Sequence, residues 1–235
     1  VTTCAKNEIS ARGQDIKRKF DDLAPRYDNH RLGDWYRAQG QAILAAIRPG
    51  ASPRILDVGC GTGWLLRQIC DDIPGAHGLG LDISSGMIAA AREKTDKSKY
   101  PHIDFLEHDW DSADRIETAI DNDAAFDYVV FSSSFHYFSD PLSAIEKAVR
   151  ALRPGGQVLL LDRALEGSPL TALWGFLHTY LIKDRVQFYR TEELVAVMRE
   201  GGLADPRTVW RKNRLFWHGK VYTSLALTAG QKKGA

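Results

Sequence analysis

An acid and three glycines stand within ten residues, Arg54-Ile55-Leu56-Asp57-Val58-Gly59-Cys60-Gly61-Thr62-Gly63. The apolar residues before the glycines read as a short buried strand, and an amphipathic helix is expected from Trp64 to Cys70. A turn of this composition lets a ligand approach the backbone closely, because no side chain blocks it. A second apolar run, His77 to Leu81, ends in Asp82. An acid at the second strand tip, about 20 residues past a glycine turn, is placed to bind a pair of ribose hydroxyls. A carboxylate accepts two hydroxyl hydrogens at once. Together these residues imply a ribose-containing cofactor.

The glycine spacing narrows the choice. A dinucleotide fingerprint, G-x-G-x-x-G, counted from Gly59 requires a glycine at position 64, which is Trp64. Further along, Ser132, Ser133 and His136 lie past the carboxyl end of a fourth apolar segment. Ligands of open α/β sheets sit outside those ends. His136 there is suited to take a proton from a hydroxyl, an amine or an activated carbon. Its other reading is packing within the aromatic run His136-Tyr137-Phe138. Tyr27 and Tyr189 are weaker candidates for closing over such a site.

Elements that would position these groups alternate along the chain. Helices are expected at Gln14 to Leu23, stopped by Pro25, and at Trp35 to Ile47. Strands follow at Arg54 to Val58, His77 to Leu81, Ile103 to Glu107, Tyr128 to Phe131 and Gln157 to Leu161. Each is short and apolar, as parallel strands covered on both faces are. Between them fall helices at Trp64 to Cys70, Ser85 to Lys94, roughly Arg115 to Ile120, and Pro141 to Leu152. After Asp162 the rhythm stops. Arg163 to Phe188, with Trp174, Phe176 and Tyr180, reads as a helical lid insertion. Thr191 then caps a helix, and strands at Arg207 to Lys212 and Val221 to Thr228 form an antiparallel pair. A polar tail follows from Gly230. The expected organisation is one domain over 1–235: an N-terminal helical cap (1–50), a cofactor-binding core (51–165), the lid (166–190), and a C-terminal helix with the strand pair (191–230).

Five segments in this order resemble the class I S-adenosylmethionine-dependent methyltransferases. They are Leu56 to Gly63, Asp82, Asp109 within Glu107-His108-Asp109-Trp110, Phe126 to Ser132, and Leu152-Arg153-Pro154-Gly155-Gly156-Gln157-Val158. Phe20 to Asp28 and Ser134 to Pro141 further resemble the ubiquinone/menaquinone-biosynthesis-type group. The resemblance implies an α/β fold, a doubly wound, mostly parallel seven-stranded sheet with the last strand antiparallel. It implies S-adenosylmethionine as cofactor and S-adenosylhomocysteine as product. The methionyl part falls to Gly59, Gly61 and Gly63, with Asp57 either meeting the ammonium or bracing the loop. Asp82 takes the ribose or serves the following helix N-terminus. Ile83 and Met87 face adenine, with Met87 equally readable as core. Asp109 and Trp110 meet the adenine amino group and ring edge, unless Asp109 only shapes a turn with Asp111. Ser132 borders the cofactor, and Tyr27 lies where this group places a cap.

The activity so implied is methyl transfer by in-line displacement to a small apolar or aromatic metabolite, natural-product or quinone-like, with C-, O- and N-methylation all open. Two alternatives stand beside it: a cofactor-binding subunit without catalysis, and a nicotinamide-dependent oxidoreductase. Trp64 and Arg153-Pro154-Gly155-Gly156 disfavour the latter. Composition excludes other classes. At 235 residues the chain can bury a sizeable core. A net charge of +1 gives no nucleic-acid signature. No apolar run reaches the roughly 18 residues of a membrane span. Cys4, Cys60 and Cys70 are too scattered for a disulfide framework or a metal site. The expected protein is therefore cytoplasmic, takes a small-molecule acceptor, binds no metal, and is a monomer or homodimer.

Overall fold

The computed structural model describes residues 9–28, 33–47, 52–112, 126–164, 186–216 and 220–234. Helices α1 (Ala11–Leu23) and α2 (Gly33–Ala46) precede the sheet. Then come β1 (Arg54–Val58), α3 (Trp64–Asp72), β2 (His77–Asp82), α4 (Ser85–Glu93) and β3 (Ile103–Glu107). The chain continues through β4 (Phe126–Ser132), α5 (Pro141–Ala151), β5 (Leu152–Ala164), α6 (Thr191–Glu200), β6 (Leu203–Phe216) and β7 (Lys220–Lys232). The sheet order is β3-β2-β1-β4-β5-β7-β6. Strands β1 to β5 run parallel to one another, and β7 runs antiparallel to both β5 and β6. This is the doubly wound, mostly parallel seven-stranded sheet that the family resemblance implies. The order reverses between β1 and β4, so a crevice opens at their carboxyl ends.

Both sheet faces are buried, and strand parity shows it. Ile55, Val130, Leu159 and Leu161 pack toward Ile43, Leu66 and Ile69 of α2 and α3. Their neighbours Leu56, Val129, Val158 and Leu160 pack the other way, against Ile145, Leu194 and Met198 of α5 and α6. A strand covered twice needs apolar residues at every position, which is why these segments lack alternation. Helix starts follow local chemistry. Ser10, Ser84 and Asp140 accept, respectively, from the backbone N–H of Gly13, Met87 and Ser143. These caps satisfy donors that the first turn leaves open.

Several boundaries differ from expectation. β5 starts directly after α5, because a register shift lets Leu152 pair with Phe126. Gly230 to Lys232 is no tail but the end of β7, with Gly230 packed on Leu203 and Met198. β6 extends beyond 207–212, absorbing Asp205, at φ 47°, and Pro206 in irregularities of its ladder. Thr191 is the first residue of α6, not its cap. The Glu193 carboxylate accepts from the Arg190 N–H at 2.7 Å. The helix expected at 115–120 and the body of the expected lid, 165–185 with its aromatic residues, lie outside the described residues.

One buried group is mismatched. Thr228 on β7 is fully buried opposite Leu160, and its hydroxyl has no partner among the described residues. A buried, unpaired hydroxyl costs about 1–3 kcal/mol. Thr228→Val should therefore raise the unfolding free energy by about 1 kcal/mol, with an unchanged m-value in urea titration. Destabilisation would show that the hydroxyl is paired in solution.

Candidate active site

The site begins where two turns are tied together. The N–H groups of Gly59 and Cys60 donate to Leu81 O at 2.7 and 2.9 Å, which folds the glycine turn over the tip of β2. Asp82 then accepts from Gly61 N on Oδ2 and from Ser84 N on Oδ1, both at 2.9 Å. One carboxylate thus joins the turn after β1 to the turn after β2. Each oxygen retains a second lone pair for a ligand hydroxyl.

The three glycines do different work. All have left-handed backbones, φ 76°, 54° and 73° at Gly59, Gly61 and Gly63. A Cβ at Gly59 would overlap the Ser134 side chain, and one at Gly63 would lie 2.5 Å from Phe105 Cζ. At Gly61 the nearest atom is Tyr27 Cε1, 3.8 Å away. Gly61 therefore presents bare backbone to open space. Gly59 borders that space, while its missing side chain makes room for Ser134. Gly63 lines neither cavity and serves the packing of α3 on β3.

Two cavities flank this turn and share Tyr27, Gly59, Gly61 and Ser132. The first, about 750 Å³ and open to solvent, is lined by Asp82, Ile83, Met87, Asp109 and Trp110, all expected at a cofactor. Asp109 shapes the turn with Asp111, whose N–H its Oδ1 accepts at 3.0 Å, and the residue also borders the cavity. Trp110 turns most of its indole into the core, where Nε1–H donates to Ala144 O at 3.2 Å. Met87 is buried yet reaches the cavity.

The second cavity is lined by Asp57, Cys60, Thr62 and Trp64. Asp57 is buried, and its Oδ1 has no partner among the described residues. Burial, with the charge of Asp82 added, pushes its carboxyl up to about 7. Burial likewise raises Asp82 to about 6, against the pull of the Ser84 and Gly61 N–H groups. Two buried acids beside a bare backbone turn are built for a cationic ligand with a diol. S-adenosylmethionine, with an ammonium, a sulfonium and a ribose, matches that donor and charge set.

Other lining groups escaped the sequence reading. Gly13, Ile16 and Phe20 of α1 border the first cavity. Their 3- and 4-residue spacing marks one helix face, which was the available signal. His108 also lines it, and burial followed by the charge of Lys147 holds its imidazole below the ordinary value. Nothing in its position announced this. Tyr137 and Phe138 extend the first cavity past β4. His136 lines neither cavity. Its ring is buried, with Nδ1 2.7 Å from Asp162 Oδ1.

Two measurements test this geometry. Gly61→Val should abolish S-adenosylhomocysteine binding in calorimetry while circular dichroism stays native. Gly59→Val should fail to fold, because its side chain meets Ser134. Equal behaviour of the two would remove the distinction. The second measurement concerns pH. Asp57 titrates near 7 in the folded protein against an ordinary 3.8. Its burial therefore favours the folded state at pH below the ordinary value, and that contribution is lost as pH rises through about 7. A cationic ligand needs the ionised form. Affinity for S-adenosylhomocysteine should thus fall below pH 7 and binding at pH 6 should release a proton, seen as a buffer-dependent heat. Asp57→Asn should lose most of that release.

Comparison with known proteins bears on the same residues. A family model described as a methyltransferase domain matches residues 56–158. The demethylmenaquinone methyltransferase of Thermus thermophilus is 35% identical over 147 residues, covering 61% of this chain and 63% of that one. The ubiquinone/menaquinone biosynthesis C-methyltransferase of Geobacter sulfurreducens is 26% identical over 237 residues, covering 92% and 90%. Haemonchus contortus phosphoethanolamine N-methyltransferase 2, solved with phosphomonomethylethanolamine and S-adenosylhomocysteine, superposes with a TM-score of 0.73 at 18% identity, over 96% of this chain and 61% of that one. The chain spans 48% and 63% of the length of two curated relatives that it matches. No described helix is long and apolar enough to cross a membrane. The turn tied by Asp82, the sheet around it and these relatives agree: the chain carries a class I S-adenosylmethionine-dependent methyltransferase domain, similar to methyltransferases of the ubiquinone/menaquinone type.

Proposed function

We propose that this protein transfers a methyl group from S-adenosylmethionine to a small apolar or aromatic acceptor by in-line displacement. The carrying observation is the pair of buried acids, Asp57 and Asp82, one in each of the two cavities that share Gly61, the first of which continues toward aromatic residues. Asp57 meets the ligand ammonium and Asp82 the ribose, while Ile83 and Met87 face the adenine and Asp109 its edge. When bound, the cofactor supplies a methyl already activated on a sulfonium. The protein then has to align the acceptor and exclude water.

Phe20, Tyr137 and Phe138 suit that task. Phe20 and Tyr137 meet edge to face at 5.3 Å, and Phe138 packs on Phe131 and Phe135. α1 carries Phe20 over the crevice and is fastened at both ends. Arg12 donates to Tyr137 O at 3.2 Å, and Asp21 accepts from Gly86 N at 2.8 Å. A flat, apolar ring of the quinol type fits such walls, and names among the relatives support that class. The acceptor arrives as a small molecule, and the protein acts as a single domain.

The test is incubation with methyl-labelled S-adenosylmethionine and either reduced demethylmenaquinone or an extract of the source organism, read by mass spectrometry. Label should appear in an aromatic product with equimolar S-adenosylhomocysteine. Asp82→Ala should weaken cofactor binding by at least tenfold, from loss of charge-assisted hydrogen bonds worth about 1.5–3 kcal/mol each. Tight cofactor binding with no transfer to any component would favour the non-catalytic subunit.

A further inference from the structure

We propose that Asp28 is a positioning residue that holds Tyr27 against the cofactor sulfonium, and that it does so through Thr62 of the glycine turn. The inference rests on the methyl-transfer reading above. Among the described residues, only Tyr27, Gly59, Gly61 and Ser132 line both cavities. A ligand with its adenosyl part in the first cavity and its ammonium at Asp57 in the second must cross at those residues. In S-adenosylmethionine the atom between the two parts is the sulfur. Two of these residues are glycines and one is a serine, so Tyr27 brings the aromatic ring to the crossing. Its Cε1 stands 3.8 Å from the place that a Cβ of Gly61 would occupy.

Nothing in the sheet brings Tyr27 there. It follows a single 3-10 turn, Ala24–Arg26, at the end of α1. The next residue supplies the anchor. Asp28 Oδ1 accepts from Thr62 Oγ1 at 2.8 Å, and Oδ2 pairs with Lys94 Nζ at 2.6 Å. Lys94 caps the carboxyl end of α4. The carboxylate thus fastens the N-terminal segment to the glycine turn and to α4 with separate oxygens. Thr62 is itself held: it is buried, and its carbonyl oxygen accepts from Arg67 Nη1 of α3 at 2.8 Å. Its hydroxyl therefore offers Asp28 a fixed donor next to Gly61. The side chains of the Lys94 pair are 37% and 36% exposed, so water screens their attraction. The bond to Thr62 carries the positioning.

The chemistry that gains is charge recognition. An aromatic ring beside a sulfonium is attracted to its positive charge. S-adenosylhomocysteine is a neutral thioether and offers the ring no such charge. Tyr27 therefore favours the charged donor over the spent product. Asp57 and Asp82 do not supply that distinction, because the ammonium and the ribose that they meet are common to both ligands.

Calorimetry of the whole protein with S-adenosylmethionine and with S-adenosylhomocysteine, in the absence of an acceptor, tests this. Failure of the wild type to bind either ligand would defeat the methyltransferase reading itself. The readout for the proposal is the ratio of the two affinities, because a general loosening of the fold weakens both ligands alike. Tyr27→Leu should shift the ratio toward the product by about fivefold, and Tyr27→Phe should leave it unchanged. Asp28→Ala and Thr62→Val should each shift it the same way by about twofold or more. The double variant should shift it no further than the larger single change, because both remove one bond. Asp28→Asn keeps an acceptor oxygen and Thr62→Ser keeps the donor, so each should retain the wild-type ratio. An unchanged ratio in Tyr27→Leu would remove the sulfonium contact. An unchanged ratio in folded Asp28→Ala, or shifts that add in the double variant, would overturn the positioning role. If Asp28→Ala does not fold, Thr62→Val set against Thr62→Ser decides the same question.

Discussion

The carboxylate of Asp82 accepts one backbone N–H from each of two turns, and the architecture of the site depends on that double bond. Gly61 N and Ser84 N belong to segments that leave adjacent parallel strands in the same direction. Nothing in the sheet ladder itself fixes how two such turns sit relative to each other. The carboxylate does, and the two bonds from Gly59 and Cys60 to Leu81 O complete the register. The glycine turn is held open by a group that also borders the first cavity.

That arrangement stores electrostatic strain. Asp57 and Asp82 stand buried near one another with no cation among the described side chains bonded to either. Burying a carboxylate without a partner is costly, and both acids respond by holding protons more tightly. A cationic ligand relieves the cost.

α1 completes the site from the other side. Lys17 donates to Ile83 O and Ser85 Oγ and pairs with Glu107 at 2.7 Å, while Asp21 accepts from Ser84 Oγ at 2.6 Å. These contacts hold the helix against the tips of β2 and β3 and the start of α4. At its other side Arg12 reaches Tyr137 O. The helix that covers the cofactor region therefore also touches the segment that carries His136. The first cavity, from the tip of β2 to the segment past β4, lies under one cover.

Much of this was legible in the residues themselves. The unbroken apolar runs at Ile55 to Val58 and Val129 to Phe131 announce strands buried on both faces, because a doubly covered strand has no polar side. Gly59, Gly61 and Asp82 declare a ligand turn through local backbone chemistry. Local rules cannot say which glycine borders the cavities, since that depends on Ser134, past β4, and Phe105, on β3, arriving from distant segments. The partner of His136 was equally out of reach. Asp162 lies 26 residues away, and only the parallel pairing of β4 with β5 brings it beside the ring. The lone carboxyl of Asp57 is a tertiary fact for the same reason. An acid in a sequence carries its charge, but its protonation is set by which neighbours the fold takes away from water. Composition and spacing determined the sheet and the class of ligand. The folded chain decided which buried groups are paired and which border the cavities.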